Sequence, residues 1–144
     1  MGTMNVDQIV VTPLKRLTVI GGDVLHGMRR TDPGFVGFGE AYFSMIDQGA
    51  VKAWKRHLRM TLNFLVPIGS VQFVFIDNVG SIRKELVGLD RYVRLTIPPG
   101  IWFGFKGLFE PYSLLLNLAD IPHDPFEIER RAIDEFVFDW EKLL

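Results

Sequence analysis

There is no cysteine in these 144 residues. That removes disulfides, thiolate nucleophiles and Cys-ligated zinc together, and it fits a reducing, cytoplasmic setting. Long apolar runs are lacking too: none reaches the roughly 18–20 residues a membrane-spanning helix needs, so no membrane partner is expected. Charge of one sign is not in excess, since 16 Lys and Arg stand against 17 Asp and Glu, a formal net charge of −1. A balance of that kind gives no general pull toward nucleic acid. The opening MGTMNVDQIVVTP holds an acid and no basic stretch, so a secretory leader is not expected. Helical periodicity of any length is also missing, as are internal repeats and low-complexity tracts.

What is present is apolar and strand-like. Hydrophobic residues make up 48% of the chain, enough for a core in a single domain spanning 1–144. The organising stretch is Gly49–Asp77, GAVKAWKRHLRMTLNFLVPIGSVQFVFID. Apolar and basic residues alternate to Lys55 and His57, the chain turns at Pro67-Ile68-Gly69-Ser70, and an almost wholly apolar strand ends on Asp77. Before it, Gln8–Val11, Leu17–Ile20, Val24–Met28 and Glu40–Ile46 read as strands around a Gly- and Pro-rich loop at Arg29–Gly39. After it, Asn78–Asp90 reads as a loop with one edge strand near Leu86. Tyr92–Ile97 alternates cleanly and stops at Pro98-Pro99-Gly100. Ile101–Leu108 and Ser113–Ala119 follow as buried strands, Ile121–Arg131 as turn chemistry with at most one helical turn, and Asp134–Trp140 as a last strand. Around ten strands with Pro/Gly turns mean an all-β barrel or double-sheet roll.

Lys55 and His57 are spaced i, i+2, so a strand turns them to one face. If that face is the barrel interior, an amine and an imidazole meet there. Lys52, Arg56 and Arg59 add charge, though strict alternation separates 52 and 56 from 55 and 57.

The spacing of these residues resembles the cupins. Their first motif opens with Gly and five residues before His-x-His, and closes on Gly; Gly49, Lys55-Arg56-His57 and Gly69 keep that frame. The second has its frame at Pro98-Pro99-Gly100-Ile101-Trp102-Phe103. The ligands themselves are replaced: Lys55 and Phe103 stand at two of the His positions, and Thr61 or Leu62 near the Glu. An ammonium and a benzyl ring donate nothing to a divalent cation, so the barrel is read as metal-free, with no cofactor.

Within the cupins the chain is most similar to the dTDP-4-dehydrorhamnose 3,5-epimerases (RmlC-like), over about residues 20–140. The runs that carry the likeness are GAVKAWK at 49–55, Val71–Asp77, and IPPGIWFGF at 97–105. Further matches are Leu114–Pro125, with His123 near the position of the family's acidic Tyr, and an acid-x-Trp segment in Asp134–Trp140. HDPFEIER, from His123, resembles the tail of the related sugar-nucleotide 3,4-ketoisomerases. The resemblance implies a double-stranded β-helix jelly roll acting on a nucleotide-linked, dTDP-type 4-keto-6-deoxy sugar, as a homodimer. It places Lys55 at the base position, His123 near the acid and Asp134 loosely at the carboxylate partner. Lys52 falls at a phosphate-binding Arg, and Arg59, Asn63, Trp102, Phe103, Phe105 and Asn117 are candidate substrate contacts.

Epimerisation or keto-isomerisation needs a base for a C–H proton alpha to a ketone, a donor for the enolate and an acid to return the proton. Lys55 can serve as base with a lowered pKa, or stay charged and hold the enolate while His57 moves the proton; the second arrangement is preferred. Against these stand bland readings. Lys55 pairs with Asp77 or Asp134, His57 is a satisfied barrel histidine, His123 is a surface turn residue, and the aromatics are core. Asp124, Glu127, Glu129, Arg130 and Arg131 read as a solvated charged turn. A barrel that binds a sugar nucleotide or another small ligand without turning it over is the alternative function.

Overall fold

A computed structural model describes residues 4–142. Two five-stranded antiparallel sheets face each other. The first has the order β1-β9-β6-β11-β4, from Val10–Pro13 (β1), Val93–Ile97 (β9), Leu62–Ile68 (β6), Tyr112–Ala119 (β11) and Glu40–Asp47 (β4). The second has the order β12-β5-β10-β7-β8, from Ile128–Arg130 (β12), Val51–His57 (β5), Trp102–Gly107 (β10), Ser70–Ile76 (β7) and Ile82–Gly88 (β8). Arg16–Leu17 (β2) and Val24–Leu25 (β3) form a separate two-stranded ribbon. No α-helix occurs among the described residues; single 3-10 turns sit at Val6–Gln8, Pro125–Glu127 and Ile133–Glu135. The expected jelly roll is what the chain adopts.

Period-2 alternation explains the layers. On β6, Leu62, Phe64 and Val66 turn inward, and on the facing sheet Phe73, Phe75, Phe103 and Phe105 meet them in one buried cluster. Phe64 and Phe73 stack with centroids 5.3 Å apart. The alternate β6 residues, Asn63 and Leu65, are buried as well, because residues 26–35 cover that outer face. The fully buried Arg94 of β9 pins the covering segment: its guanidinium donates to Gly27 O at 2.9 Å, to Pro33 O at 2.6 Å and to Asn63 Oδ1 at 3.0 Å. On the outside of the second sheet, Trp54, Val74, Ile76, Trp102 and Trp140 form a second cluster with Phe136 and Phe138.

Three segments differ from the sequence reading. Residues 78–90 hold a full strand, β8, paired to β7 along its whole length, despite weak alternation; as a sheet edge it needs only one good face. The charged run 128–130 is β12, paired to β5. Residues 134–140 are not a strand but a 3-10 turn and an extended strap, whose aromatics cover the outer cluster. Pro13 and Pro67 are tolerated because β1 is an edge and Pro67 lies near the end of β6.

Candidate active site

A cavity of about 370 Å³ opens between the two sheets. One wall is built by β5, β10 and β12, the other by β4, β11 and Leu62 of β6. Its first determinant is an irregularity in β5. Phe103 pairs with Lys55 and Phe105 with Lys52, with the register slipping between Phe103 and Gly104. One extra residue is thereby accommodated on β5, and such a bulge reverses the parity of everything beyond it. Lys52, three positions from Lys55, joins Lys55 and His57 on the cavity wall instead of facing away. Strict alternation does not anticipate this. Gly104 lets the strands approach: a Cβ there would lie 2.6 Å from Ala53 Cβ.

His57 is 6% exposed, and its Nδ1 bonds Glu127 Oε1, a side chain only 2% exposed. The other carboxylate oxygen accepts the backbone amides of Leu58 at 3.2 Å, Arg59 at 3.0 Å and Met60 at 3.1 Å. A carboxylate so loaded can only accept from the imidazole, so Nδ1 carries the proton and Nε2 keeps its lone pair. Burial lowers the pKa of His57; the bond to Glu127 opposes this, and Lys55 and Arg130 lower it further. Burial pushes Glu127 up, but the bond to His57 and the amides of Arg59 and Met60 win, and its pKa lies below the ordinary value. Phe103 stacks on the imidazole at 6.0 Å and 14°.

Lys55 is half-buried. Burial lowers its pKa first, then Arg130; Glu127 opposes, and Lys52 lowers it again. Arg130 stands opposite Lys55 across the β12–β5 pair and also lines the cavity. Among the described residues, Lys52, Lys55 and Arg130 have no carboxylate within ion-pair distance, and no cavity-lining side chain is acidic. Arg131 lines the cavity as well, with its guanidinium 4.6 Å from the Trp102 ring centroid. From the opposite wall come Tyr42, Ser44 and Asn117, whose amide donates to Ser44 Oγ at 3.2 Å and Tyr42 O at 3.3 Å. Burial, and then Glu40, raise the pKa of Tyr42, which keeps its phenol neutral. No three His, Cys, Asp or Glu side chains converge as a metal site among the described residues.

Of the residues singled out from sequence, Lys52, Lys55, His57, Phe103, Phe105 and Asn117 come together here. The others stand elsewhere. His123 and Asp134 are exposed and line no part of the cavity. Arg59 pairs with Asp124 at 2.7 Å on the surface. Asn63 alternates to the far side of its sheet and serves the Arg94 network, accepting also from Thr96 Oγ1 at 2.6 Å. Trp102 alternates away from Phe103 into the outer cluster. Asp77 does not meet Lys55; it accepts the amides of Val6, Val79 and Ser81 and caps the β7–β8 turn. Glu127, Arg130 and Tyr42 are the residues sequence reasoning missed. The i, i+3 spacing of Glu127 and Arg130 hid that a 3-10 turn buries one while the following strand brings the other, itself exposed, to the cavity.

No protein-family model matches the chain. A Haloferax volcanii protein named "Probable low-salt glycan biosynthesis epimerase Agl13" is 31% identical over 84 residues, 54% of this chain and 54% of that protein. The match thus spans about half the length of that curated relative. A sugar 3,4-ketoisomerase from Thermoanaerobacterium thermosaccharolyticum, solved with TDP, shares the fold at 17% identity, with a TM-score of 0.77 over 88% of this chain and 90% of that one. The crystal structure of a dTDP sugar isomerase from Desulfovibrio desulfuricans G20 superposes with a TM-score of 0.90 at 36% identity, covering 95% of this chain and 93% of that chain. With that identity along nearly the whole of both chains, and the two-sheet roll and cavity just described, the chain belongs to the dTDP-sugar isomerase family of RmlC-like cupins.

Proposed function

We propose that the protein is a metal-independent isomerase or epimerase of a nucleotide-linked 4-keto-6-deoxy sugar, acting by proton transfer alpha to the ketone. The observation that carries this is the His57–Glu127 pair set beside Lys52, Lys55 and Arg130, three cavity cations with no acidic partner among the described residues. Unpaired Lys52, Lys55 and Arg130 match the two negative charges of a diphosphate and the charge that develops on an enolate oxygen. His57, neutral and held by Glu127, takes the carbon-bound proton through Nε2. The family membership supports the dTDP-linked substrate, and the oriented base argues against a barrel that only binds.

The test is incubation with dTDP-4-keto-6-deoxyglucose in heavy water. Deuterium should enter a ring carbon next to the ketone, and His57→Asn should abolish that entry while dTDP still binds. Binding with neither exchange nor conversion of the sugar removes the catalytic reading.

The homodimer belongs to the same proposal. β4 is an unpaired sheet edge, and its outward residues Phe43 and Met45 are 61% and 57% exposed. A second copy covering this face makes the protein dimeric in solution, and Phe43→Glu should yield monomers by sedimentation. A wild-type monomer contradicts it. The absence of cysteine and a nucleotide-activated substrate fit a cytoplasmic setting. No helix among the described residues is long and apolar enough to cross a membrane.

A further inference from the structure

Every permanently charged side chain that lines the cavity, among the described residues, is a cation, and His57 is set among them. Arg130 stands directly opposite Lys55 in the β12–β5 pair, and Ile128 opposite His57. Arg130 is therefore the diagonal cross-strand neighbour of His57, roughly 7–8 Å away. Lys55 lies two residues from His57 on its own strand, with Lys52 beyond it on the same wall. Phe103, stacked on the imidazole, and Leu62 bring no charge. The facing wall offers Tyr42, Ser44 and Asn117, all neutral. Arg56 and Arg59 are turned away to Glu129 and Asp124, and Arg131 keeps its guanidinium over Trp102 and Phe136. Among the described residues, Glu127 alone brings a negative charge to the ring.

An imidazole that accepts a proton becomes a cation, and cations beside it make that step harder. Burial is the larger obstacle for His57, but Lys55 and Arg130 act in the same direction. Arg130 and Lys52 do the same to Lys55. A ligand does not undo burial. It does undo the charge, because a diphosphate lying on Lys52, Lys55 and Arg130 brings its own negative charges to the same place.

We propose that the diphosphate of the substrate strengthens the base that acts on its sugar: by offsetting Arg130 and the neighbouring lysines, it makes His57 take up a proton more readily in the complex than in the empty protein. The proposal rests on the nucleotide-sugar reading above and gives a second task to the part of the substrate that does not react. No bond is made or broken in this step; one proton equilibrium moves. Arg130 is a positioning residue here, touching the diphosphate and acting on the sugar only through His57. The phosphate end then contributes to kcat as well as to binding, and a sugar lacking it meets a weaker base.

The experiment is an NMR titration of the full chain carrying 15N-labelled histidine, with the His57 signal assigned by its loss in His57→Asn. Saturating dTDP should raise the midpoint of His57 by about 0.5 in pH, the scale of one screened like charge offset at that distance. Pyrophosphate alone should raise it too, and thymidine, which has no phosphate, should not. In Arg130→Gln the empty protein should already titrate higher than wild type, and dTDP should move it less. Arg130→Lys keeps the charge and should behave as wild type. In kinetics, the low-pH limb of kcat, which reports the complex, should lie above that of kcat/KM, which reports the free protein. Burial keeps both below the ordinary histidine value. Bound dTDP with an unmoved midpoint, or a rise with thymidine equal to that with dTDP, overturns the coupling while leaving the broader function standing. An Arg130→Gln midpoint equal to that of wild type overturns the assignment to Arg130. Failure of both dTDP and pyrophosphate to bind overturns this proposal and the nucleotide-sugar reading together.

Discussion

The two faces of β5 carry the same kinds of residue and use them in opposite ways. On the outer face, Arg56 is fully engaged: its guanidinium bonds Glu129, donates to Asn78 Oδ1 at 3.1 Å and lies 4.7 Å from the Trp102 ring centroid. Trp54 beside it donates from its indole to Ile133 O at 3.1 Å and packs edge-on to Phe136 at 5.3 Å. On the inner face, Lys52 and Lys55 have no acidic partner among the described residues, and the one carboxylate nearby is committed to His57 and three amides. A cation satisfied within the chain contributes to the fold. Lys55, held half-buried with no carboxylate partner among the described residues, loses solvation that no such partner returns, and it makes sense as a ligand contact; Lys52 is exposed and lines the same cavity. The function is therefore expected to be sensitive to changes on one face and indifferent to changes on the other.

The largest effect that would break this contrast is at His57. His57→Asn should lower turnover by about 10³-fold, within the range of general acid–base catalysis, with dTDP affinity changed by less than about 3-fold. Steady-state kinetics and calorimetric titration with dTDP measure the two separately. Retained turnover would place the chemistry elsewhere.

Next is Glu127→Gln. An amide in place of the carboxylate leaves His57 without the charge that fixes its tautomer, and roughly 10- to 100-fold loss in kcat is expected from changes to such a supporting partner. The pH profile sharpens the test. In the wild type, kcat should rise with pH along a limb below the ordinary histidine value, because burial lowers the pKa of His57 and the base must be neutral. It should fall again along a limb below the ordinary lysine value, as Lys55 loses its proton. Glu127 raises the pKa of His57, so Glu127→Gln should move the low-pH limb further down. An unmoved limb would mean that Glu127 acts on structure alone.

How much of this was legible in the sequence depends on distance along the chain. The strands from 40 to 76 and 92 to 119 carry clean alternation and Pro/Gly turns, and the sheets follow from them. Lys55 and His57 were visible because their spacing is local. Glu127 was not: its partner lies 70 residues away, and its sequence surroundings, HDPFEIER, look like a solvated turn. Alternation alone separated Lys52 from Lys55, although the resemblance put it at a phosphate-binding position, because a bulge is a property of the pair of strands, which one strand's pattern does not show. Asn63 and Trp102 stand away from the cavity for the opposite reason. Their own alternation against Leu62 and Phe103 already turned them outward, and the resemblance drew attention away from it.

The smallest effect is on the outer face, and it tests the contrast from its quiet side. Arg56→Met removes the bonds to Glu129 and Asn78 and the contact over Trp102, but keeps most of the apolar stem. Glu129 is 43% exposed, so water takes over its solvation, and the net cost should be only about 1 kcal/mol, or roughly 3 °C in Tm. Turnover should stay within about 2-fold, since no atom of this side chain lines the cavity. A loss in kcat approaching that of His57→Asn would show that the outer face reaches through β5 to the chemistry. The sorting of cations into paired and unpaired would then not separate structure from function in this protein.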